Sequence, residues 1–570
     1  IVTFVVAMFA LLGLAIYATH RAGKPLMNLI AVCITMIMLG FSSYASVTIR
    51  AAVNPPMNSN NPDNPTALLS MLNRDQYGNR PLLYGASYAA PVVDYTQKSF
   101  YHYNDETQKY EKRSTVDDYV YPDQFMHLFP RMWNYMKSEE EYKQWAAYRT
   151  KMDFVRDDEG QIVYDKSGKP LREEVADFGK EVSYFDGEQT RTIVEPTFLE
   201  HLNYFFSYQL RYMYWRYFLW NFVGRQDDIQ PDNSTITNGN WLSGFKALDE
   251  LYLGPQDNLP REMADNKARN TYFFLPFLLG IIGLIYQFSR DSRNFTVVMW
   301  LFIMMGIALV VYFNSSPGEV YAGSFYAFSM WIGLGVLAIY ELLSWILKKH
   351  HKVAAIAATV VAMAGPGILC AENWDDHDRS HRTMARDLGF NYLSSIVEKE
   401  GVSPIIVNYG DNDTFPLWFN QEVDGVRTDV RIMNSSYLDG EWYVDEMKCK
   451  ANDAEGIPFS LPSHKYSFVN DWIPVYPQDD SVWSAKDVMN FVRSDDKRTK
   501  VDLGYGEPAD YIPASRIVLP VDKDAAIASG IVKESDRDLM VDNVYITIDA
   551  SSLSRSELML LDMLAHFDWK

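Results

Sequence analysis

Two arginines beside a run of aromatic residues have the type and spacing needed to bind a phosphate. Arg216 lies with Arg211 in the run YFFSYQLRYMYWRYFLWNF, residues 204–222, and Arg225 follows in the next turn. Guanidinium groups bind phosphate oxygens through paired hydrogen bonds. Tyr and Trp also prefer the membrane–water boundary, where Arg can extend its charged end into water. Two interpretations stay open: an interfacial or re-entrant helix against the outer leaflet, and a site for a lipid phosphate or pyrophosphate.

The turn that follows the aromatic run, residues 224–228, adds two carboxylates. Asp227 and Asp228 lie next to Arg225, where the chain leaves the aromatic segment. A turn of mixed charge beside an aromatic platform can hold the polar head of a substrate. We therefore include both aspartates among the candidate binding residues.

A second candidate site follows a short apolar run, 404–407, in the last part of the chain. The sequence GDNDTFPLW, residues 410–418, comes directly after it. Loops at the carboxyl ends of parallel strands are the usual position of ligands in α/β domains. Asp411 and Asp413 can bind a cation or a sugar there. Alternatively, Asp413 or the next residue caps a helix that begins at Pro416.

Two histidines have the spacing of metal ligands. His377 and His381 are four residues apart, with Asp375 close to the first, and we expect a helix through residue 392 to place both imidazoles on one face. An acidic helix N-terminus is the alternative interpretation of the same residues. A divalent metal is thus the one cofactor that the sequence leaves open.

A membrane-embedded frame must position these residues. Three short basic turns separate the first and second, third and fourth, and fifth and sixth of a set of apolar runs, and short basic loops stay in the cytoplasm. The six runs have about the length that crosses a bilayer and comprise residues 1–19, 26–49, 273–288, 295–313, 325–347 and 353–370. Their alternation places the remaining segments 50–272, 314–324 and 371–570 on the outer face.

The fold class predicted is therefore a multi-pass α-helical membrane protein, with about six transmembrane helices and two extracytoplasmic parts. The predicted segments are two transmembrane helices in 1–49, an outer segment with its aromatic helix in 50–272, four transmembrane helices in 273–370, and an outer domain in 371–570. We predict that this last domain is α/β. Three short apolar runs there are typical of buried strands, at residues 404–407, 430–433 and 544–548.

Composition excludes some functions. The chain has 52 Lys and Arg against 73 Asp and Glu, a net charge of −21, whereas nucleic-acid and anionic-lipid binding need clustered cations. Only Cys449 of three cysteines lies outside an apolar run, so the fold does not rely on disulfides, which fits a bacterial periplasm. The first apolar run begins at Ile1 with no Met or charged segment before it, and the aromatic and acidic stretch 566–570 directly follows a predicted helix, so we expect further sequence at both ends.

Several long motifs resemble one family. The aromatic run with its GRQDD turn is similar to a signature of a Bacteroidota family of large multi-pass membrane proteins of unknown function. Four further stretches are similar to its remaining landmarks: YAGSFYAF at 321–328, ENWDDHDR at 372–379, GDNDTFPLW at 410–418 and GVRTDVR at 425–431.

This resemblance implies sugar chemistry. The family is grouped with GT-C glycosyltransferases, and its animal relative is an endoplasmic-reticulum protein O-mannosyltransferase. Such enzymes take a sugar from a polyprenyl phosphate in the bilayer, and an acidic residue in the first external loop acts as base or metal ligand. That loop would precede Ile1, so no residue of this chain is assigned as catalytic.

The leading hypothesis is an inner-membrane glycosyltransferase that uses a polyprenyl phosphate sugar and a periplasmic acceptor protein or glycan. Arg216 and Arg225 would bind the donor phosphate. One alternative is a non-enzymatic scaffold or subunit of an envelope transport complex; the six runs contain only Glu341 as an ionisable residue, which argues against an ion-coupled carrier. Another is a metal-dependent hydrolase that uses Asp375, His377, His381 and Asp411.

Overall fold

The chain is organised in two compact units. The computed structural model describes residues 2–74, 81–104, 109–155, 161–165, 167–186, 189–231, 235–312, 318–348, 350–398, 401–466, 472–502, 508–530 and 532–566. The first unit contains Ile1–Asn79, Thr96–Asp118 and Arg382–Lys570, and the second contains Arg80–Tyr95 and Tyr119–His381.

Helices account for most of the secondary structure. In chain order they are α1 (Val2–Arg21), α2 (Pro25–Ala51), α3 (Pro65–Asn73), α4 (Glu139–Ala146), α5 (Phe198–Tyr204), a π-helix (Phe205–Trp215), α6 (Arg216–Phe222), α7 (Lys246–Leu253), α8 (Arg261–Ala264), α9 (Leu275–Arg290), α10 (Ser292–Met304), α11 (Ile307–Tyr312), α12 (Ala322–Leu347), α13 (His351–His377), α14 (Met384–Ser395), α15 (Asp411–Glu422), α16 (Glu441–Lys448), α17 (Ser463–Tyr466), α18 (Ala485–Arg493), α19 (Lys523–Ala528) and α20 (Arg555–Ala565).

Apart from β2 and β3, the strands have two to six residues. They are β1 (Tyr84–Ala86), β2 (Asp94–Asn104), β3 (Lys109–Val120), β4 (Met126–Leu128), β5 (Arg149–Phe154), β6 (Arg172–Asp177), β7 (Lys180–Phe185), β8 (Thr190–Glu195), β9 (Gly224–Arg225), β10 (Asn270–Thr271), β11 (Ile405–Asn408), β12 (Arg431–Asn434), β13 (Trp472–Pro474), β14 (Val482–Ser484), β15 (Lys500–Val501), β16 (Ala509–Asp510), β17 (Arg516–Pro520), β18 (Asn543–Thr547) and β19 (Ser552–Ser554).

Four helical segments are long and apolar enough to cross a membrane, which confirms a multi-pass membrane protein. They are Pro25–Ala51, Ser292–Tyr312, Ala322–Leu347 and His351–Asp375. The other two predicted spans form shorter apolar helices, Val6–Arg21 and Leu275–Arg290. The described basic residues of the three turns lie at or between the ends of consecutive helices, as the sequence predicts. Residues 314–317 of the predicted outer loop lie outside the described residues.

Helices α9 and α12 of the second unit approach so closely that only glycine fits at their contact. A Cβ on Gly283 would lie 1.7 Å from the carbonyl oxygen of Trp331, and one on Gly335 would lie 2.3 Å from that of Leu279. Trp331 also donates from Nε1 to Gln287 Oε1 at 2.8 Å. Small residues that allow backbones to approach are typical of helix pairs in membranes.

The carboxylate inside the predicted spans is paired with a neighbouring helix. Glu341 accepts hydrogen bonds from Tyr286 Oη at 2.7 Å and from an Arg290 Nη at 2.6 Å. Arg290 is the last residue of α9, so this charged pair lies at a helix end. Transport coupled to an ion needs ionisable groups deeper in the spans.

The C-terminal part of the first unit has α/β character. Strands β11 and β12 pair in parallel, which confirms the predicted strands at 404–407 and 430–433. The third predicted strand, 544–548, corresponds to β18, but it pairs antiparallel with β17 in a separate sheet of order β14–β17–β18. Helices α16, α18 and α20 supply much of the buried core on these strands, including Tyr443, Val488 and Met559.

A buried carboxylate in the same unit attaches the loop after α2 to α16. Glu446 Oε1 accepts a hydrogen bond from the Asn58 amide at 3.4 Å, and Glu446 Oε2 is buried without a hydrogen-bond partner among the described residues. Burial raises the pKa of Glu446 to about 7, although the Asn58 amide and the charge of Arg431 act in the opposite direction. The group therefore takes up a proton near neutral pH.

Alanine at Gly335 should destabilise the α9–α12 pair, because its Cβ would overlap the Leu279 carbonyl and force the two backbones apart, at a cost of about 1–3 kcal/mol. The control is Gly333→Ala on the same helix, where nothing lies within 4 Å. Alanine there gains up to about 1 kcal/mol of helix propensity. Melting temperatures of the two variants in detergent test this, and equal values would contradict the close contact.

The Glu446 carboxyl should make the folding free energy depend on pH. Because its pKa is higher in the folded chain than in the unfolded one, its contribution is full below about pH 4.5 and is lost as the pH rises through about 7. Glu446→Gln should abolish this pH dependence, which amounts to up to about 3 kcal/mol of unfolding free energy. Melting temperatures of the parent and the variant from pH 5 to 8 measure this dependence, with Glu398→Gln at an exposed position as control. The prediction fails if the melting temperature of Glu446→Gln changes with pH as that of the parent does.

Candidate functional site

The aromatic run folds into a wide helix that carries the candidate arginines. Its middle is the π-helix, where residues four apart come close together, and the rings of Tyr204, Tyr208 and Tyr212 stack with centroids 5.0 and 5.5 Å apart. Each such ring pair contributes about 0.5–1.5 kcal/mol beyond its buried area. This stacking favours a π-helix that the backbone alone rarely adopts.

The spans of the second unit bury one face of this run. Tyr214 and Phe218 are at most 1% exposed and contact Phe302 of α10 and Phe328 of α12. The Tyr214 hydroxyl is hydrogen-bonded to Ser324 Oγ at 2.6 Å. The predicted interfacial helix therefore packs against protein along this face. A helix that contacted only lipid would lack these contacts.

Arg216 lies where the π-helix changes into α6. Such a junction leaves one backbone carbonyl without an amide donor, and Arg216 Nε donates to the carbonyl of Tyr212 at 3.1 Å. One Nη also donates to the carbonyl of Gly239. Burial lowers the pKa of this guanidinium. Two of its five N–H groups are thus used by carbonyls, and three remain for other acceptors.

Asp227 holds the loop that Arg216 contacts. Its Oδ1 accepts from the amides of Gly239 at 2.7 Å and Ile229 at 3.1 Å, and burial raises the pKa of the carboxyl. Its role is therefore to position Gly239. Asp228, the other predicted carboxylate, is exposed.

Arg225 lies on the same loop. Its guanidinium is 4.2 Å from the centre of the Trp220 ring, and its Nε is buried without a hydrogen-bond partner among the described residues. The Arg225 backbone bridges Trp241, two residues after Gly239. In the part of the chain that the structure describes, neither Arg225 nor Arg216 forms an ion pair with a carboxylate. Each of the two arginines therefore keeps at least one N–H donor for an anion.

The predicted carboxylates of the C-terminal domain lie in the first turn of α15. Gly410 is the N-cap, and the helix begins at Asp411 rather than at Pro416, which is inside it. Asp411 accepts a hydrogen bond from the Tyr437 hydroxyl, and Asp413 is exposed. Both follow the carboxyl end of β11, where the sequence predicts a ligand.

The structure does not place the two predicted histidine ligands on one helix. α13 continues to His377, and His381 lies in the turn before α14. His377 Nδ1 is hydrogen-bonded to the Asn373 carbonyl of its own helix at 2.9 Å, and Asp375 forms an exposed ion pair with Lys267 at 3.5 Å. The helix extends past the apolar run because its polar end is held by protein: the buried Asn373 is hydrogen-bonded to Asn270 and Tyr272.

A buried cluster that sequence reasoning missed lies in the second unit. His127 Nε2 is 2.7 Å from Glu195 Oε1, Ser87 Oγ donates to Glu195 Oε2 at 2.9 Å, and the His201 ring is 5.0 Å from that of His127. Glu195 and His201 are 0% exposed. One ligand atom from each of His127, Glu195 and His201 lies within 4.8 Å of the others, a spacing that a metal can use.

Hydrogen bonding at His201 opposes a preformed metal centre. The Met132 amide donates to His201 Nδ1 at 3.1 Å, so the ring proton is on Nε2, which is buried and has no partner among the described residues. Burial, with the charges of His127 and Arg131, lowers the pKa of His201 to about 3, so the ring is neutral. A metal would have to replace either that proton or the Met132 hydrogen bond. The cluster is better described as a neutral donor beside a carboxylate.

No local motif announces this cluster. His127 and Glu195 are 68 residues apart and lie on strands of different pairs, β1–β4 and β7–β8. The sequence offers one signal. Histidine is scarce, with 10 in the whole chain, so His201 just before the aromatic run is worth testing.

The fold and these sites define a class: a multi-pass helical membrane protein with folded domains outside its spans. Residues 385–570 match the family model TMEM260-associated domain 2, and residues 78–206 match a family of unknown function, DUF8416. Neither match covers half of the chain. The first includes Asp411 and Asp413, the second includes His127, Glu195 and His201, and the arginines lie between them. No curated protein and no solved structure matches the chain.

Zinc should not stabilise the protein through the His127–Glu195–His201 cluster, because the Met132 amide already occupies the lone pair of His201 Nδ1. We expect the melting temperature to be the same with EDTA and with micromolar Zn²⁺, and expect Zn²⁺ to act alike on the parent and on His127→Ala. A rise with Zn²⁺ that His127→Ala abolishes would show that the cluster is a metal site after all.

Proposed function

We propose that this protein acts as a membrane glycosyltransferase of GT-C type. It would transfer a sugar, in the leading version mannose, from a polyprenyl phosphate to a hydroxyl of a periplasmic protein or glycan at the bacterial inner membrane. The observation that carries the proposal is Arg216, a half-buried guanidinium on an aromatic helix among the spans, held by carbonyls and by no described carboxylate. The resemblance in the sequence and the match to TMEM260-associated domain 2 support the same function.

A guanidinium in this setting favours an anionic ligand. Removing a cation from water is costly unless an anion or several hydrogen bonds compensate it. Arg216 has three N–H donors beyond its two carbonyl bonds, and Arg225 has an unpaired Nε. A phosphate has several acceptor oxygens for donors of this kind. The aromatic surroundings suit the polyprenyl chain of such a donor.

The reaction uses this charge at the leaving group. The acceptor oxygen forms a bond to C1 of the sugar, the bond between C1 and the phosphate oxygen breaks, and the hydroxyl proton passes to a base. The polyprenyl phosphate leaves with one more negative charge than the donor carried. Fixed cations beside that oxygen therefore stabilise the transition state more than the bound donor, which accelerates transfer.

Arg216→Ala should reduce sugar transfer by about 100-fold or more, because it removes a fixed charge at the leaving phosphate. The assay uses the complete gene product in detergent, radiolabelled polyprenyl phosphate mannose and periplasmic extract, and scores label on protein. Arg211→Ala is the matched control, since Arg211 is exposed on the same run. Arg216→Lys should recover part of the rate, because it restores charge without the paired geometry.

Melting temperatures of all variants separate loss of folding from loss of chemistry. Full activity in a well-folded Arg216→Ala protein would remove this residue from the mechanism. No transfer by the parent with any polyprenyl sugar would leave the scaffold interpretation as the better one.

A further inference from the structure

Four aromatic side chains form a continuous row in the C-terminal domain. Phe415 and Trp418 on α15 have ring centroids 5.6 Å apart, Trp418 is 6.3 Å from Tyr437, and Tyr437 is 6.2 Å from Trp442. The row begins at the carboxyl ends of β11 and β12, since α15 follows the first strand and Tyr437 is three residues after the second. We call these four side chains the aromatic row.

The aromatic row is accessible. Phe415 is 48% exposed, and the other three rings are half-buried, so each presents part of its surface to solvent. Contiguous exposed apolar surface on a folded domain often marks an interaction site. They lie inside the segment that matches TMEM260-associated domain 2.

Polar groups accompany the rings. Asp411 accepts a hydrogen bond from the hydroxyl of Tyr437, one of the two inner rings of the row, and keeps acceptor capacity on its other oxygen. Among the described residues, no acceptor is hydrogen-bonded to the indole Nε1 of Trp418 or of Trp442. The row therefore combines flat apolar faces with two N–H donors and a carboxylate.

A second, independent observation points to a polar ligand at this edge. Asn434, the last residue of β12, is 0% exposed, and its Oδ1 accepts from the amide of Gly410 at 3.1 Å, directly before Asp411. The Nδ2 of Asn434 is buried and has no hydrogen-bond partner in the described part of the chain. Leaving such a donor unpaired costs about 1–3 kcal/mol. A hydroxyl group or a water that a ligand holds in place would satisfy it.

We propose that the aromatic row, with Asp411 and Asn434, binds a carbohydrate. The C–H faces of a pyranose ring pack on aromatic rings, while its hydroxyls donate to a carboxylate and accept from indole or amide N–H groups. An anionic ligand is disfavoured because Asp411 and Asp413 already place two carboxylates in the first turn of α15.

A membrane contact is the competing explanation for the row, because Trp and Tyr also concentrate at the bilayer boundary. The carboxylate hydrogen-bonded within the row favours the sugar, since anionic side chains are repelled by lipid phosphates. The carbohydrate site goes beyond the proposed transfer reaction. It needs neither Arg216 nor a lipid-linked donor, so binding here can be tested when no transfer is seen.

The experiment measures saccharide binding to the full chain in detergent. Mannobiose and chitobiose are titrated and followed by saturation-transfer NMR and calorimetry. We expect one of them to bind, and Phe415→Ala and Asp411→Asn each to weaken binding about tenfold or more, near 1.4 kcal/mol. The control is Tyr545→Ala, an aromatic side chain of the same domain that is 62% exposed and outside the row; it should bind as the parent does.

Two results would overturn this site. One is equal saccharide binding by Phe415→Ala and Tyr545→Ala. The other is no binding of either saccharide to a folded parent; if Phe415→Ala then also reduces association with phosphatidylcholine vesicles, the row is a membrane contact. Saccharide binding that persists in Arg216→Ala would show that this site and the donor site are separate.

Discussion

Burial of the aromatic helix among apolar spans depends on partners for its polar atoms. Each buried polar group that is left unpaired costs about 1–3 kcal/mol, and this helix carries hydroxyls, two amides and two guanidinium groups. Tyr214 is hydrogen-bonded to Ser324, and Gln209 donates to the Val310 carbonyl at 3.2 Å. Arg216 Nε donates to the Tyr212 carbonyl where the helix type changes. The loop that contains Asp227 and Gly239 is then fixed against that arginine. The candidate site thus follows from the need of buried polar groups for hydrogen-bond partners.

The frame of the molecule is readable from sequence because apolar length and turn charge are local properties. Runs such as 325–347 become spans almost residue for residue, and basic turns fall between helices. The limits appear where partners are distant. The run 544–548 is a strand as predicted, but composition cannot say that it pairs with β17 rather than with β11 or β12. Likewise α13 passes the end of its apolar run because Asn270 and Tyr272 satisfy the buried Asn373.

The residue types of the candidate site could be predicted from the sequence, but the role of each residue could not. Arginine and aromatic side chains signal an anion or an interface, and the structure leaves Arg216 and Arg225 without described carboxylate partners. Asp227 carries the same charge whether it binds a ligand or two backbone amides; only the positions of Gly239 and Ile229 distinguish these. The His127, Glu195 and His201 cluster was missed because strand pairing, which brings it together, leaves no spacing in the sequence.

The glycine contact between α9 and α12 has a mechanical consequence. If one helix moved along the other by one residue, about 1.5 Å, larger side chains would replace Gly283 and Gly335 at the contact. The facing backbone leaves no room for a Cβ there. The two helices therefore keep a fixed register and move as one rigid body, and the hydrogen bond between Arg290 and Glu341 stabilises one end of the pair. If a lipid tail enters this unit from the bilayer, the entrance must open along another helix seam.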